Sequence, residues 1–172
     1  MLKDTLGLTA AFLAPVAALL IFNDWREQHV AISNEEISQD IYKKIHSISR
    51  YFHLPVDSNS ENFYKNQSEF YKLLTEINHN GVFLKPYDYK SKQYILHLNE
   101  LEKVLFEYWE AYAQYRSYYY LSLNEKELRG TVDNKAWDEY KSETTRYLQL
   151  KLKYNKQFYD LKNKYPLIEG CR

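Results

Sequence analysis

Leu6–Phe22 reads LGLTAAFLAPVAALLIF, seventeen residues without a charge, and everything after it is polar, charged and rich in tyrosine. A hydrocarbon core of roughly 30 Å takes about 20 helical residues, with about 17 as the short limit. The run therefore just spans a bilayer if its flanks assist. Lys3 can snorkel on one side, and Trp25 stands on the other at headgroup level beside Asp24, Arg26 and Glu27. Two other readings compete. A secretory signal peptide fits less well, because Asp4 interrupts the basic leader and the run ends in Leu19-Leu20-Ile21-Phe22-Asn23-Asp24-Trp25, bulky where a peptidase needs small residues. A buried core helix would need apolar partners, and the rest of the chain has few aliphatic runs. The expectation is a single N-terminal transmembrane helix.

Within the run, Pro15 removes one backbone donor, which a helix in lipid tolerates. Ala10, Ala14 and Ala18 fall four apart on one face with Gly7 and Ala11 beside them, a spacing that lets two helices approach closely. Alanine is common in single spans, so self-association through this face is the weaker of the two readings.

Beyond the run, the 172 residues leave room for one helical domain of ordinary size. Net charge is zero, so no surface built for nucleic acid is expected. Only four glycines and four prolines occur, which argues against a loop-rich β plan. Aromatic residues make up 17% of the chain, and 18 tyrosines supply most of them, side chains that fill a core while keeping a polar end. The one cysteine, Cys171, allows no intrachain disulfide. Lys3 before the run stands against Arg26, Lys43 and Lys44 after it, a small bias toward a cytoplasmic C-terminal domain. Asn66-Gln67-Ser68 is a formal glycosylation sequon, a triplet frequent by chance.

Taken in order, the expected organisation is an anchor over 1–23, a membrane-exit linker or helix continuation over 24–33, a helical domain over 34–166 and a tail over 167–172. Ser33 followed by Glu36 has the form of a capping box that starts a helix, after which Ile37, Ile41, Ile45, Ile48 and Phe52 form one apolar stripe. That helix should stop near His53, ahead of Leu54-Pro55. After a polar loop at Asp57–Ser60, a second helix runs through Phe63, Phe70, Leu73, Leu74 and Ile77 and ends at Asn80-Gly81, with the glycine as cap. Tyr94, Leu98, Leu101, Leu105, Tyr108, Tyr112, Tyr115 and Tyr119 then alternate steps of four and three, a heptad seam. Tyrosine at the last four of those eight positions favours a helical hairpin within the chain over a dimeric zipper. Leu123–Asp133, containing Gly130, reads as its turn. Trp137, Tyr140, Thr144, Tyr147, Leu150, Tyr154, Phe158, Leu161 and Tyr165 carry the returning stripe up to Pro166. The fold class is all-α: one membrane helix followed by a small bundle built on a long antiparallel hairpin.

Tyr118-Tyr119-Tyr120-Leu121, then Leu128, Gly130 and Ala136-Trp137, resembles the inter-helix turn of small bacterial single-pass membrane proteins of unknown function. Phe12-Leu13-Ala14-Pro15 leading to Asn23-Asp24-Trp25-Arg26-Glu27-Gln28-His29 is similar to their membrane exit. The resemblance implies a bacterial inner-membrane address with a cytoplasmic helical domain and carries over no catalytic residue.

Chemical motifs are sparse. Glu76 and His79 have the Glu-x-x-His spacing of helical di-iron bundles, but such sites need two copies and two further glutamates. Asp57, Asn59 and Glu61 alternate as in a calcium loop whose required glycine is here Asn62. His46 and His53, seven apart, lack a ligand cluster. No catalytic residue, cofactor or metal is expected. Arg146, Lys151, Lys153, Lys156, Lys162 and Lys164 concentrate cations among aromatics on the last helix, either as an anionic-surface contact or, preferably, as a solvated face balanced by Glu100, Glu102, Glu107 and Glu110. Two functions are compatible with this: a non-enzymatic membrane-tethered interaction or scaffolding module, or an effector of a phage-defence, toxin or lysis system acting through its span. The expected partners are the bilayer and another protein or a second copy.

Overall fold

A computed structural model describes residues 2–53, 60–129, 134–164 and 167, with side chains described from Leu13 onward except at 52–60, 122 and 124–134. All four elements longer than one turn are helices: α1 (Leu2–Ile48), α2 (Ser60–Phe83), α3 (Tyr89–Arg129) and α4 (Asn134–Asn163), with a 3₁₀ turn at Ser49–His53 closing α1. No strand occurs among the described residues. The expected polar loop at 57–59, the glycine turn at 130–133 and the helix stop at 165–166 lie outside them.

Helix α1 runs unbroken for 47 residues, about 70 Å at 1.5 Å per residue. This corrects the helix start expected at Ser33. Ser33 and Glu36 lie inside α1, and nothing there breaks the backbone ladder, so a Ser-x-x-Glu spacing has no free N-terminus to cap. The neighbour, Asn34, has a different role. It is buried, and its side-chain amide donates to the Lys85 carbonyl at 2.8 Å while its Oδ1 accepts from the Lys85 N–H at 2.9 Å. One side chain thus satisfies both polar groups of a corner residue and ties the α2–α3 connection to the middle of α1.

Below Asn34 the isoleucine stripe behaves as the periodicity requires: Ile41, Ile45 and Ile48 are fully buried and Ile37 lies against them. Helix α2 returns antiparallel along this stripe, burying Phe70 and Ile77. A polar strip closes the seam between the two helices. Lys44 bonds Asp40 at 2.6 Å and approaches Glu76 at 3.4 Å, and Asn80 donates to Asp40. The bond from Lys44 is the main reason the Asp40 carboxyl is held below its ordinary value.

Gly81 does not cap α2, which continues to Phe83. A Cβ at Gly81 would sit 3.2 Å from Leu98 Cδ2 of α3, so the glycine marks where two helices come close rather than where one ends. Helix α3 starts with Asp88 accepting from the Ser91 N–H at 2.7 Å and Ser91 returning a bond to the Asp88 carbonyl. Its C-terminal end also differs from expectation. Leu123–Arg129 is helical, as the good helix formers in LNEKELR permit, so the hairpin is longer than its periodic stripe.

Helices α3 and α4 form the long antiparallel hairpin. Tyr94, Leu98, Leu101, Leu105, Tyr108 and Tyr112 are buried along it, joined from α4 by Leu150, Tyr154 and Leu161. Tyr154 donates to the Ile45 carbonyl at 3.4 Å and Phe158 stacks on Tyr42 at 5.4 Å, so α4 also leans on α1 and runs antiparallel to it. Trp109 of α3 is fully buried between α2 and the 3₁₀ turn, against Phe70 (4.6 Å), Phe63 (5.8 Å) and Tyr51 (6.0 Å).

Two substitutions test this account in urea or thermal unfolding. Asn34→Ala leaves two backbone groups of Lys85 without their partner and should cost about 1–3 kcal/mol. Gly81→Leu forces α2 and α3 apart and should cost a similar ~1–3 kcal/mol, whereas Gly81→Ala stays close to neutral.

Candidate interaction surfaces

The first surface is the apolar half of α1. Leu13, Val16, Leu19, Leu20, Ile21 and Phe22 are all more than half exposed, Leu13 at 63% and Ile21 at 70%, although their positions go around the whole helix. Ala14 and Ala18 are exposed with them. The side chains of Lys3, Gly7, Ala10 and Ala11 lie outside the described residues. Among the described residues no helix is long and apolar enough to cross a membrane; those with described side chains contain Leu13–Phe22, the last ten positions of the seventeen-residue run. Trp25 is exposed just past the run, stacked on His29 at 5.5 Å and near Phe22 at 6.0 Å. Arg26 follows it and shares a cleft of about 320 Å³ with Glu27, Val30, Lys85, Pro86 and Tyr87, so the α2–α3 corner reaches up to within one turn of Trp25.

The second surface is a ladder of phenols between α3 and α4. Tyr108 donates to Tyr147 at 2.7 Å, Tyr115 and Tyr140 face each other at 3.5 Å, and Tyr115 stacks on both Tyr147 (5.7 Å) and Tyr140 (5.3 Å). Trp137 stacks on Tyr140 at 5.2 Å and Tyr119 lies 5.9 Å from it. Arg116 caps the Phe63 ring at 4.4 Å, close to the N-terminal end of α2. Beyond Arg116, α3 continues for thirteen residues to Arg129, about 20 Å, alongside α4. The hairpin thus stands out past α2.

The basic residues of α4 do not form one patch. At about 100° per residue, Arg146, Lys153 and Lys164 fall on one flank of the buried stripe and Lys151 and Lys162 on the other, while Lys156 projects outward. Arg146 bonds Gln114 at 3.1 Å and Glu143 at 3.4 Å, Lys164 pairs with Asp160 at 2.7 Å, and Lys162 sits over the Tyr42 ring at 5.6 Å. Arg146, Lys162 and Lys164 are thus engaged within the chain.

The remaining motif residues are dispersed. Glu76 faces Lys44, and His79 packs its ring on Phe83 at 4.9 Å. His46 is exposed, and the side chain of His53 lies outside the described residues. No group of three potential metal ligands occurs among the described residues. An open groove of about 720 Å³ between α2 and α3 is lined by Tyr71, Leu74, Asn78, Glu102, Lys103 and Phe106, among others. Glu102 there is pushed above the ordinary carboxylate range by burial, partly offset by the 2.9 Å bond it accepts from Asn78. Thr75, Asn99 and Glu107 line the same open groove.

Sequence reasoning missed Val104, Trp109 and Ala111, all buried on α3. The signal was the step of four from Leu101 through Leu105 to Trp109, which widens the heptad seam into a face that meets α2 and the 3₁₀ turn as well as α4. No family model, curated protein or solved structure matches the chain.

Burial raises the hydroxyls of Tyr94, Tyr108, Tyr147 and Tyr154 above the ordinary tyrosine value, and burial with the bond to Tyr140 does the same for Tyr115. Folding thus favours their protonated form. Their contribution is complete below about pH 10 and is lost as pH rises past it, because the unfolded chain releases protons the folded chain retains. Unfolding free energy should be flat from neutrality to about pH 9 and fall steeply above about pH 10. Absorbance at tyrosinate wavelengths, followed together with far-ultraviolet circular dichroism, checks this: the buried phenols should ionise only as helix is lost.

Proposed function

We propose that the chain is a non-enzymatic, membrane-anchored helical interaction module: Leu6–Phe22 crosses the inner membrane of a bacterium once, and the bundle stands in the cytoplasm and holds another protein at the bilayer. The observation that carries this reading is the exposure of Leu13–Phe22 around the whole of α1. Ten apolar positions on a regular helix with no protein against them would cost on the order of 1 kcal/mol or more per large side chain in water, and lipid removes that cost. A second feature supports it. About 20 residues counted from Leu6 bring the edge of the hydrocarbon to Trp25, which puts Arg26, Lys85 and Tyr87 at headgroup level.

The bundle favours binding over catalysis. The buried polar side chains of Asn34 and Tyr108 are used in bonds that tie one element to another. A two-helix projection offers a partner a rigid surface away from the lipid.

Membrane fractionation tests the anchor. The full chain should sediment with membranes and resist extraction at alkaline pH, while a chain lacking Met1–Phe22 should be recovered in the aqueous fraction with its helical signal and cooperative unfolding intact. Recovery of the full chain in the aqueous fraction without detergent refutes the reading.

A further inference from the structure

The cleft between α1 and the α2–α3 corner, about 320 Å³, is lined by Arg26, Glu27 and Val30 from α1 and by Lys85, Pro86 and Tyr87 from the corner. That volume is at the small end of ligand pockets, which run from about 300 to 1,000 Å³. Asn34 holds the two walls together, because its bonds to both backbone groups of Lys85 fix that residue against α1. The cleft carries two cations, Arg26 and Lys85, and one anion, Glu27. All three are exposed, and among the described residues none of their side chains makes a hydrogen bond or ion pair. Elsewhere on the bundle cations do find carboxylates, as Lys44 finds Asp40 and Arg50 finds Glu69. Here both signs share one cleft without pairing.

A ligand for this cleft has to answer both signs. A simple anion would suit Arg26 and Lys85 but would stand beside the like charge of Glu27, and a simple cation would do the reverse. A zwitterion with a phosphate and a primary ammonium a few bonds apart satisfies all three groups. The guanidinium and the lysine ammonium donate charge-assisted bonds to the phosphate, and the ligand ammonium donates to Glu27. A quaternary ammonium has no N–H to give that carboxylate. The position of the cleft names the source of the ligand. Helix α1 rises about 6 Å from Arg26 to Val30. With the hydrocarbon edge at Trp25, the polar layer beyond it is about 5–7 Å deep, so the α1 wall of the cleft lies at the depth of the lipid phosphates.

We propose that this cleft binds the headgroup of a phospholipid bearing a primary amine, of the phosphatidylethanolamine type. Arg26 and Lys85 hold the phosphodiester, and Glu27 accepts from the ammonium. The proposal rests on the membrane-anchor reading, since the lipid around α1 supplies the ligand. A headgroup held there ties the corner to the bilayer at a second point beside the span. Two points fix the bundle's rotation about the axis of α1, which a single span leaves free.

The test uses the full chain in detergent micelles with equimolar phosphatidylethanolamine, phosphatidylcholine and phosphatidylglycerol of identical acyl chains, and counts retained lipid by native mass spectrometry. The chain should retain phosphatidylethanolamine in preference to the other two. Arg26→Gln with Lys85→Gln should lower that retention at least about tenfold. Glu27→Gln should move the preference from phosphatidylethanolamine to phosphatidylglycerol, a reversal that loss of structure would not produce. All three positions are exposed, and an unchanged circular dichroism spectrum confirms that the variants fold. Equal retention of the three lipids, retention indifferent to the substitutions, or displacement of the lipid by an equimolar amount of free phosphoethanolamine or inorganic phosphate would overturn the proposal. The measurement in micelles does not depend on membrane fractionation. A full chain recovered in the aqueous fraction refutes the anchor, and retention that ignores headgroup and substitution refutes the cleft.

Discussion

One continuous helix has to satisfy two different surroundings, and the rest of the structure follows from how α1 does so. Leu13–Phe22 is apolar and exposed on every side, while the part of the helix beyond Asn34 buries a single stripe of isoleucines and leaves the opposite face polar. The transition falls between Trp25 and Asn34, within about 14 Å. No hinge separates the two, so any constraint on the orientation of the first part is passed to the bundle through a rigid rod. Asn34 then fixes the α2–α3 corner at the level where that rod becomes amphipathic.

The choice of tyrosine as the main core residue has a physical reason in this arrangement. A bundle of four helices meeting at different depths leaves positions that are apolar on one side and face a backbone carbonyl or another hydroxyl on the other. Leucine would leave those acceptors unpaired, and serine would bury too little area. Tyr108 fills such a position, with its ring against Tyr147 and its hydroxyl within 3.3 Å of the Tyr51 carbonyl, and Tyr154 does the same at Ile45. The phenol contributes both apolar area and a hydrogen bond at the same site.

Much of this was legible in the sequence because periodicity reports burial directly. The stripes of α1, α3 and α4 were visible as repeats of three and four, and most of their described residues line the core, although Trp137 at the start of α4 is exposed. What failed were local signals that carry two meanings. Ser33 and Glu36 have the spacing of a cap, yet the same spacing is neutral inside a helix, and only the absence of a break decides between them. Gly81 has the composition of a helix end, yet a glycine facing another helix looks identical in one dimension; the 3.2 Å approach to Leu98 is a tertiary fact. Trp109 was overlooked because a heptad template admits one partner, whereas α3 meets α2, α4 and the 3₁₀ turn.

The candidate surfaces were legible to a different degree, since exposure is not encoded in period alone. The six cations of the last helix stood out as a cluster in sequence, and wrapping them on a helix divides them into flanking and outward positions with different partners. The same wrapping brings Leu148, Leu152 and Tyr159 onto one line, although in sequence they are interrupted by buried residues of the other stripe. A helix with two apolar stripes reads in one dimension as merely hydrophobic at intervals. Only the bundle, by occupying the stripe that contains Leu150 and Tyr154, shows that the other is left exposed. The acidic helices of this protein do not cover it, since α3 lies on the opposite side of α4.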